Sequence, residues 1–226
     1  QLADALPPTT DDRHADWRQT LARRDAAGRE QQATQLAIDD RPIHPARLCR
    51  EVRDLLPRDA VLVVDGQEIL NFARQIIPSH LPGHRMNSGT FGTMGVGLPI
   101  ALGLKAALPE RLVVVLHGDG SFGLNGFELD TAVRHGLPVL VVISLNGGWS
   151  GDPEGKKVGR DLGYTRFDRI AEAFGCHAEY VEDPVQLPAA LRRAQAAVAQ
   201  GRTALVNVVT DGRVVAETTK FSRYMT

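Results

Sequence analysis

LVVVLHGDGSFGLNGFELDTAVRHGLPVLVVISLNGG, residues 112–148, carries the information that decides the fold. Two runs, 112–117 and 139–145, are rich in β-branched residues and apolar at nearly every position rather than at alternate ones. Strands of that kind are buried on both faces, which happens in a parallel sheet covered by helices. Between them, residues 127–135 have helical spacing, so the stretch reads strand, turn, helix, strand. The first run ends in Gly118-Asp119-Gly120-Ser121 and the second in Asn146-Gly147-Gly148.

The alternation continues outward in both directions. Upstream, residues 46–56 and 68–77 are helical around a short buried strand at 61–65, and 95–108 form a helix of small residues. Downstream, helices at 167–174 and 184–199 alternate with strands at 177–181 and 204–209. The expected fold class is α/β: a doubly wound parallel sheet flanked by helices and preceded by a linker helix. Residues 1–41 differ from the rest, with Pro7-Pro8 and then a polar, Ala-rich helical stretch over 13–36. A helix this polar makes no core of its own and reads as the exit from a preceding domain. Residues 42–210 are the expected domain, and 211–226 a tail able to fold over a site. Pro45 suits the first turn of a new helix.

In open parallel sheets ligands bind beyond the carboxyl ends of the strands, where both glycine-rich turns fall. The glycines of Gly118-Asp119-Gly120 permit a tight turn whose N–H groups, with a helix start behind them, attract an anion. A carboxylate in that place, Asp119, makes chemical sense beside a diphosphate only if a divalent cation bridges the two. Magnesium takes about six oxygens, some from phosphate and water. Residues 121–145 supply one helix and one return strand, which brings Asn146 beside Asp119.

The segment 118–148 resembles the signature of thiamine-diphosphate-dependent enzymes, which opens with Gly-Asp-Gly and closes with Asn-Asn after a similar spacing. Leu145 stands at the first Asn position. The resemblance implies Mg2+ ligation by Asp119, Asn146 and the Gly148 carbonyl, and diphosphate contacts from Gly118, Gly120 and Ser121, with Trp149 alongside. A second segment, Ser88-Gly-Thr-Phe-Gly-Thr-Met-Gly-Val-Gly-Leu-Pro99, is similar to the part of the family that grips the aminopyrimidine ring. There the Gly92 carbonyl and Met94 N–H are implied to bond the ring, and the Met94 side chain to enforce the bent cofactor. The family's ring-activating glutamate belongs to a pyrimidine-binding domain that, with a middle domain, would precede this chain. Glu68 is not read as its equivalent. Family habit implies a homodimer or homotetramer.

Asn146-Gly-Gly-Trp-Ser-Gly-Asp152 is similar to the 2-hydroxyacyl-CoA lyase and oxalyl-CoA decarboxylase branch. That branch implies cleavage or formation of a C–C bond giving formyl-CoA plus an aldehyde or ketone. Glu154 is then a candidate for catalytic proton transfer, and Lys156, Lys157 and Arg160 for CoA phosphates. Arg213, Lys220, Arg223 and Tyr224 are candidates for an active-site lid. Acetolactate-type chemistry on free 2-oxo or 2-hydroxy acids is the alternative, and a non-catalytic cofactor-binding module the alternative from another class. A dinucleotide-binding domain is disfavoured, because Gly66-Gln67-Glu68 after the first strand lacks the required glycine pattern.

Composition narrows the partners. Lys plus Arg number 26 against 27 Asp plus Glu, for a net charge of -1, so neither nucleic acid nor an anionic membrane is expected. No apolar run reaches the roughly 18 residues of a membrane span. No signal-peptide pattern is visible, and Cys49 and Cys176 lack metal-ligand spacing, so a cytoplasmic location with buried free thiols is expected. The first residue is Gln1, which reads as a piece of a longer protein.

Overall fold

The computed structural model describes residues 13–216. Two compact units divide the chain, Gln1–Ala37 and Ile38–Thr226. Within the first lies helix α1 (Ala15–Leu36), whose few apolar residues are scattered rather than gathered in a stripe. An Asp25–Arg29 pair at 2.9 Å, one helical turn apart, supports it locally.

In the second unit six strands form one parallel sheet: β1 (Val61–Asp65), β2 (Arg85–Met86), β3 (Val113–Gly118), β4 (Leu140–Leu145), β5 (His177–Val181) and β6 (Ala204–Val209). Their order is β2-β1-β3-β4-β6-β5. All residues of β1, β4 and β6 are buried, as continuously apolar runs require in a sheet covered on both faces. Helices α2 (Pro45–Leu55), α3 (Gln67–Ile76) and α8 (Leu187–Ala199) cover one face. Helices α4 (Gly97–Ala107), α5 (Asp119–Asn125), α6 (Glu128–Arg134) and α7 (Phe167–Ala173) cover the other. On that second face Val61, Val63, Val113, Val115, Val141 and Ile143 meet Leu98, Phe122, Leu129 and Ala171 in one core. Each such large aliphatic contributes roughly 1.5–3 kcal/mol by leaving water. Pro45 opens α2, and His44 Nδ1 accepts from the Ala46 N–H at 3.1 Å as its cap. Cys49 and Cys176 are free and buried, and burial pushes the Cys176 thiol up to about 11.

After β1 the chain turns to α3 on one face; after β3 it turns to α5 on the other. The adjacent ends of β1 and β3 are therefore where the winding reverses, the place such sheets keep for ligands. Residues 118–121 are not a plain turn before a helix at 127: α5 begins directly at Asp119. Glycines at 118, 120, 123 and 126 hide this helix from propensity, yet Phe122, 2% exposed, anchors it in the core. The final helix starts at Leu187 rather than 184, because Asp183 makes a turn of its own, accepting from Val185 N through Oδ1 and from Gln186 N through its carbonyl. Two small elements have no periodic signal at all, β2 and the 3-10 turn Gly89–Phe91. Among the described residues no helix is long and apolar enough to cross a membrane.

Candidate cofactor site

Three strand ends meet at one edge, with Asp65 paired to His117 and Gly118 paired to Ser144 across the sheet. Close approach here needs glycine. A Cβ on Gly66, at φ +119°, would stand 2.9 Å from the Gly118 nitrogen.

Asp119 is the first residue of α5 and is buried. Its Oδ1 accepts from Gly120 N at 2.8 Å, and its Oδ2 from Gly148 N at 3.0 Å. Asn146 Oδ1 accepts from that same Gly148 N–H at 3.1 Å. One amide hydrogen thus gathers two side-chain oxygens from two different strand ends. Burial pushes the Asp119 carboxyl up to about 6, although the N–H groups of Gly120, Gly147 and Gly148 and the charge of Arg160 pull the other way. A buried carboxylate held this high despite Arg160 is under-compensated, and a divalent cation would supply the missing positive charge. One carboxylate, one amide oxygen and a backbone carbonyl are hard donors that suit Mg2+, with remaining positions left to phosphate and water. Among the described residues no three His, Cys, Asp or Glu side chains converge into a competing metal centre.

Trp149 closes one side. A Cβ on Gly120 would lie 2.5 Å from the Trp149 ring, so the ring rests directly on that glycine. Ser121 behaves differently from expectation. Its hydroxyl, 2.9 Å from the Asp65 carbonyl and 3.0 Å from that of Gly118, is buried and turned into the fold, so any diphosphate contact falls to its backbone. His117 Nδ1 lies 3.1 Å from the same hydroxyl. Burial depresses His117 to about 3, so it is neutral at physiological pH and braces the strand end.

The segment 88–99 joins the same edge. Gly97 N donates to Asp65 Oδ2 at 2.7 Å, and Asn125 Nδ2 donates to the Gly95 carbonyl at 2.8 Å. Gly92 adopts φ +64° on the surface, and Met94 is 40% exposed, so it is no ordinary core methionine.

Arg160 is the residue whose position the sequence reading missed. Instead of facing outward toward CoA phosphates, its side chain is nearly buried. Nη2 donates to the Asn146 carbonyl at 3.0 Å and Nε to the Ser150 carbonyl at 3.1 Å. These bonds clamp both ends of the loop that carries Gly147 and Gly148. An arginine 14 residues beyond Asn146 in a polar loop gives no sequence signal of this.

Glu154 is exposed and pairs with Lys156 at 3.0 Å, the arrangement of a solvated loop carboxylate. Arg213 folds back onto Asp211 at 2.7 Å. The tail touches the site loop through its backbone, with Asp152 N donating to the Gly212 carbonyl at 2.8 Å. Glu68 accepts from Ala216 N at 3.2 Å. Lys220, Arg223 and Tyr224 lie outside the described residues.

Residues 68–208 match the family described as thiamine pyrophosphate enzyme, C-terminal TPP binding domain. The acetolactate synthase large subunit IlvG of Mycobacterium tuberculosis is 40% identical over 208 residues, covering 89% of this chain and 38% of that protein. The 2-hydroxyacyl-CoA lyase of Arabidopsis thaliana is 32% identical over 211 residues, covering 86% and 36% respectively. A solved structure from Mycobacterium smegmatis, assigned to the thiamin diphosphate-dependent enzymes, superposes with a TM-score of 0.67 at 25% identity, over 77% of this chain and 33% of that one. The chain therefore spans less than two-fifths of the length of these relatives. The cofactor is thiamine diphosphate, for which Mg2+ is the standard partner in this family. The chain belongs to the thiamine pyrophosphate enzymes, as a C-terminal domain that binds the cofactor.

Proposed function

We propose that Asp119, Asn146 and the Gly148 carbonyl hold Mg2+, while the backbone of Gly118, Gly120 and Ser121 faces the diphosphate. The observation that carries this reading is the single Gly148 N–H shared by Asp119 Oδ2 and Asn146 Oδ1. Trp149 walls the diphosphate, Gly92 and Met94 face the aminopyrimidine, and Arg160 keeps the metal loop in register. When bound, thiamine diphosphate supplies an electron sink for carbon–carbon bond chemistry next to a carbonyl. This chain's share is to bind, orient and neutralise charge. The ring-activating acid comes from preceding domains of a longer protein, acting as a homodimer or homotetramer.

The substrate class we infer is a 2-hydroxyacyl-CoA, split to or built from formyl-CoA and an aldehyde or ketone. It rests on the loop 146–152 and on the 32% identity to 2-hydroxyacyl-CoA lyases. The 40% identity to acetolactate synthases favours a second reading, condensation of free 2-oxo acids. The test gives the intact protein thiamine diphosphate and Mg2+, then a short 2-hydroxyacyl-CoA or pyruvate, and follows products by mass spectrometry. Formyl-CoA establishes the lyase reading; acetolactate from pyruvate alone rejects it and keeps the cofactor. Thiamine diphosphate binding that ignores Mg2+ in a calorimetric titration rejects the metal assignment.

A further inference from the structure

At the end of the sheet opposite the cofactor edge, a small, partly open cavity of about 40 Å³ lies between the α2–β1 connection and the segment running from α3 into β2. The polar part of its wall has one sign of charge. Arg53, Arg58, His80, His84 and Arg85 line it with Ser79; the other lining residues are apolar, and none is Asp or Glu. Of the neighbouring acids, Asp54 pairs with Arg53 of the wall at 2.8 Å, and Asp59 pairs with Arg111 outside it.

Arg85 is the centre of this wall. It sits in the ladder opposite Leu62, and its Nη1 donates to the Ile77 carbonyl at 2.6 Å, which fixes the guanidinium in place. Its Nη2 is buried and has no hydrogen-bond partner. Burial, and then the like charge of Arg74, hold this group below its ordinary basicity. A buried donor on a charged group without an acceptor is costly, and a guanidinium edge is shaped for oxyanions. The volume suits a few waters or one small ion.

We propose that this cavity binds a phosphate-class oxyanion, with the Arg85 guanidinium as the cation in its wall and Arg58 as a second at the rim. The ion is either free inorganic phosphate or the phosphate group of a small ester. The site is separate from the thiamine diphosphate edge and does not depend on the substrate assigned above.

The experiment is calorimetry on the intact protein, saturated with thiamine diphosphate and Mg2+ so that the diphosphate site is filled. Inorganic phosphate and glycerol phosphate are titrated separately, with chloride holding ionic strength constant. Saturable binding of either at one ion per chain is expected; a response to inorganic phosphate alone assigns a free ion, and a response to both assigns a site open to esters. Arg85→Gln should weaken that binding by at least about tenfold, and Arg58→Ala by about threefold, with thiamine diphosphate affinity unchanged in both. Arg58 is exposed, so its variant keeps the test decisive if Arg85→Gln fails to fold. No saturable binding of either ligand, or wild-type affinity in Arg58→Ala, overturns the proposal. Anomalous density from a selenate soak within hydrogen-bonding distance of the Arg85 guanidinium would place the ion directly.

Discussion

Replacing Asp119 by Asn should make the metal-free protein more stable at neutral pH while abolishing its binding of Mg2+. The folded carboxyl titrates at about 6 rather than the ordinary 3.8, because burial disfavours its charge. Between those values the native state holds more protons than the unfolded chain, so this group's contribution to stability rises as pH falls. At pH 7.5 the ionised carboxyl costs the fold about 3 kcal/mol; at pH 4 the cost shrinks to about 0.5 kcal/mol. Asparagine is isosteric and neutral, so it removes the whole of that cost. It also surrenders the acceptor for Gly148 N, a loss of about 1 kcal/mol, softened because Asn146 Oδ1 still accepts from that amide. The variant should therefore be about 2 kcal/mol more stable than wild type at pH 7.5, and equal or slightly less stable at pH 4. Urea unfolding in EDTA at the two pH values measures both differences. The lost hydrogen bond is present at either pH, so the change between them isolates the charge. A variant less stable at pH 7.5, or a difference that does not move with pH, would refute the burial argument.

Other outcomes follow from the same geometry. The proposed Mg2+ ligation needs Asp119 ionised, so Mg2+ affinity in a titration without diphosphate should fall about tenfold from pH 7 to pH 5. Asn146→Ala should weaken magnesium-dependent thiamine diphosphate binding by more than about tenfold, whereas Leu145→Val should leave it unchanged and lower the unfolding midpoint. A Cβ at position 97 would stand 2.6 Å from Asp65 Cβ and 2.7 Å from the His117 ring, with no flexible chain end to yield. Gly97→Ala should thus cost about 1–3 kcal/mol in urea unfolding, and a neutral result would show that α4 can shift. Arg160→Met keeps the bulk but removes the bonds to the Asn146 and Ser150 carbonyls. Faster proteolysis in the 146–160 loop and weaker Mg2+ binding are expected, and an unchanged cleavage rate would dismiss the clamp.

The strands were legible because burial on both faces leaves a plain record: the runs at 61–65, 177–181 and 204–209 coincide with β1, β5 and β6. The approach of Asn146 to Asp119 was legible because the chain between them has room to cross back and return as the next strand, although two short helices, α5 and α6, fill it instead of one. Helix α5 was not, since its glycines read as a turn, whereas its residues 119–122 are buried against the sheet with Phe122 in the core. Nor was the inward turn of Arg160, which depends on a loop folding back through Trp149 N to Arg160 O and Leu162 N to Gly147 O. A polar loop carries no period from which such a return can be read. Ser121 shows the same gap within a motif: the residue was found, yet whether its hydroxyl faced a ligand or the Asp65 carbonyl depended on how closely β1 approaches β3.

The amide of Gly148 stands in for an ion. With a fraction of a unit charge it holds the Asp119 and Asn146 oxygens together in the way a cation would hold them with two. On the ligation proposed above, the conformational entropy of collecting these oxygens from two strand ends would be spent during folding, and little of it would be left to oppose loading. On the same ligation, loading would break one shared hydrogen bond between a neutral donor and two acceptors, and the strands that carry the oxygens would stay in their ladder. On that assignment the bond would re-form when the metal left, and the same pocket would survive repeated emptying and refilling without rebuilding its loop.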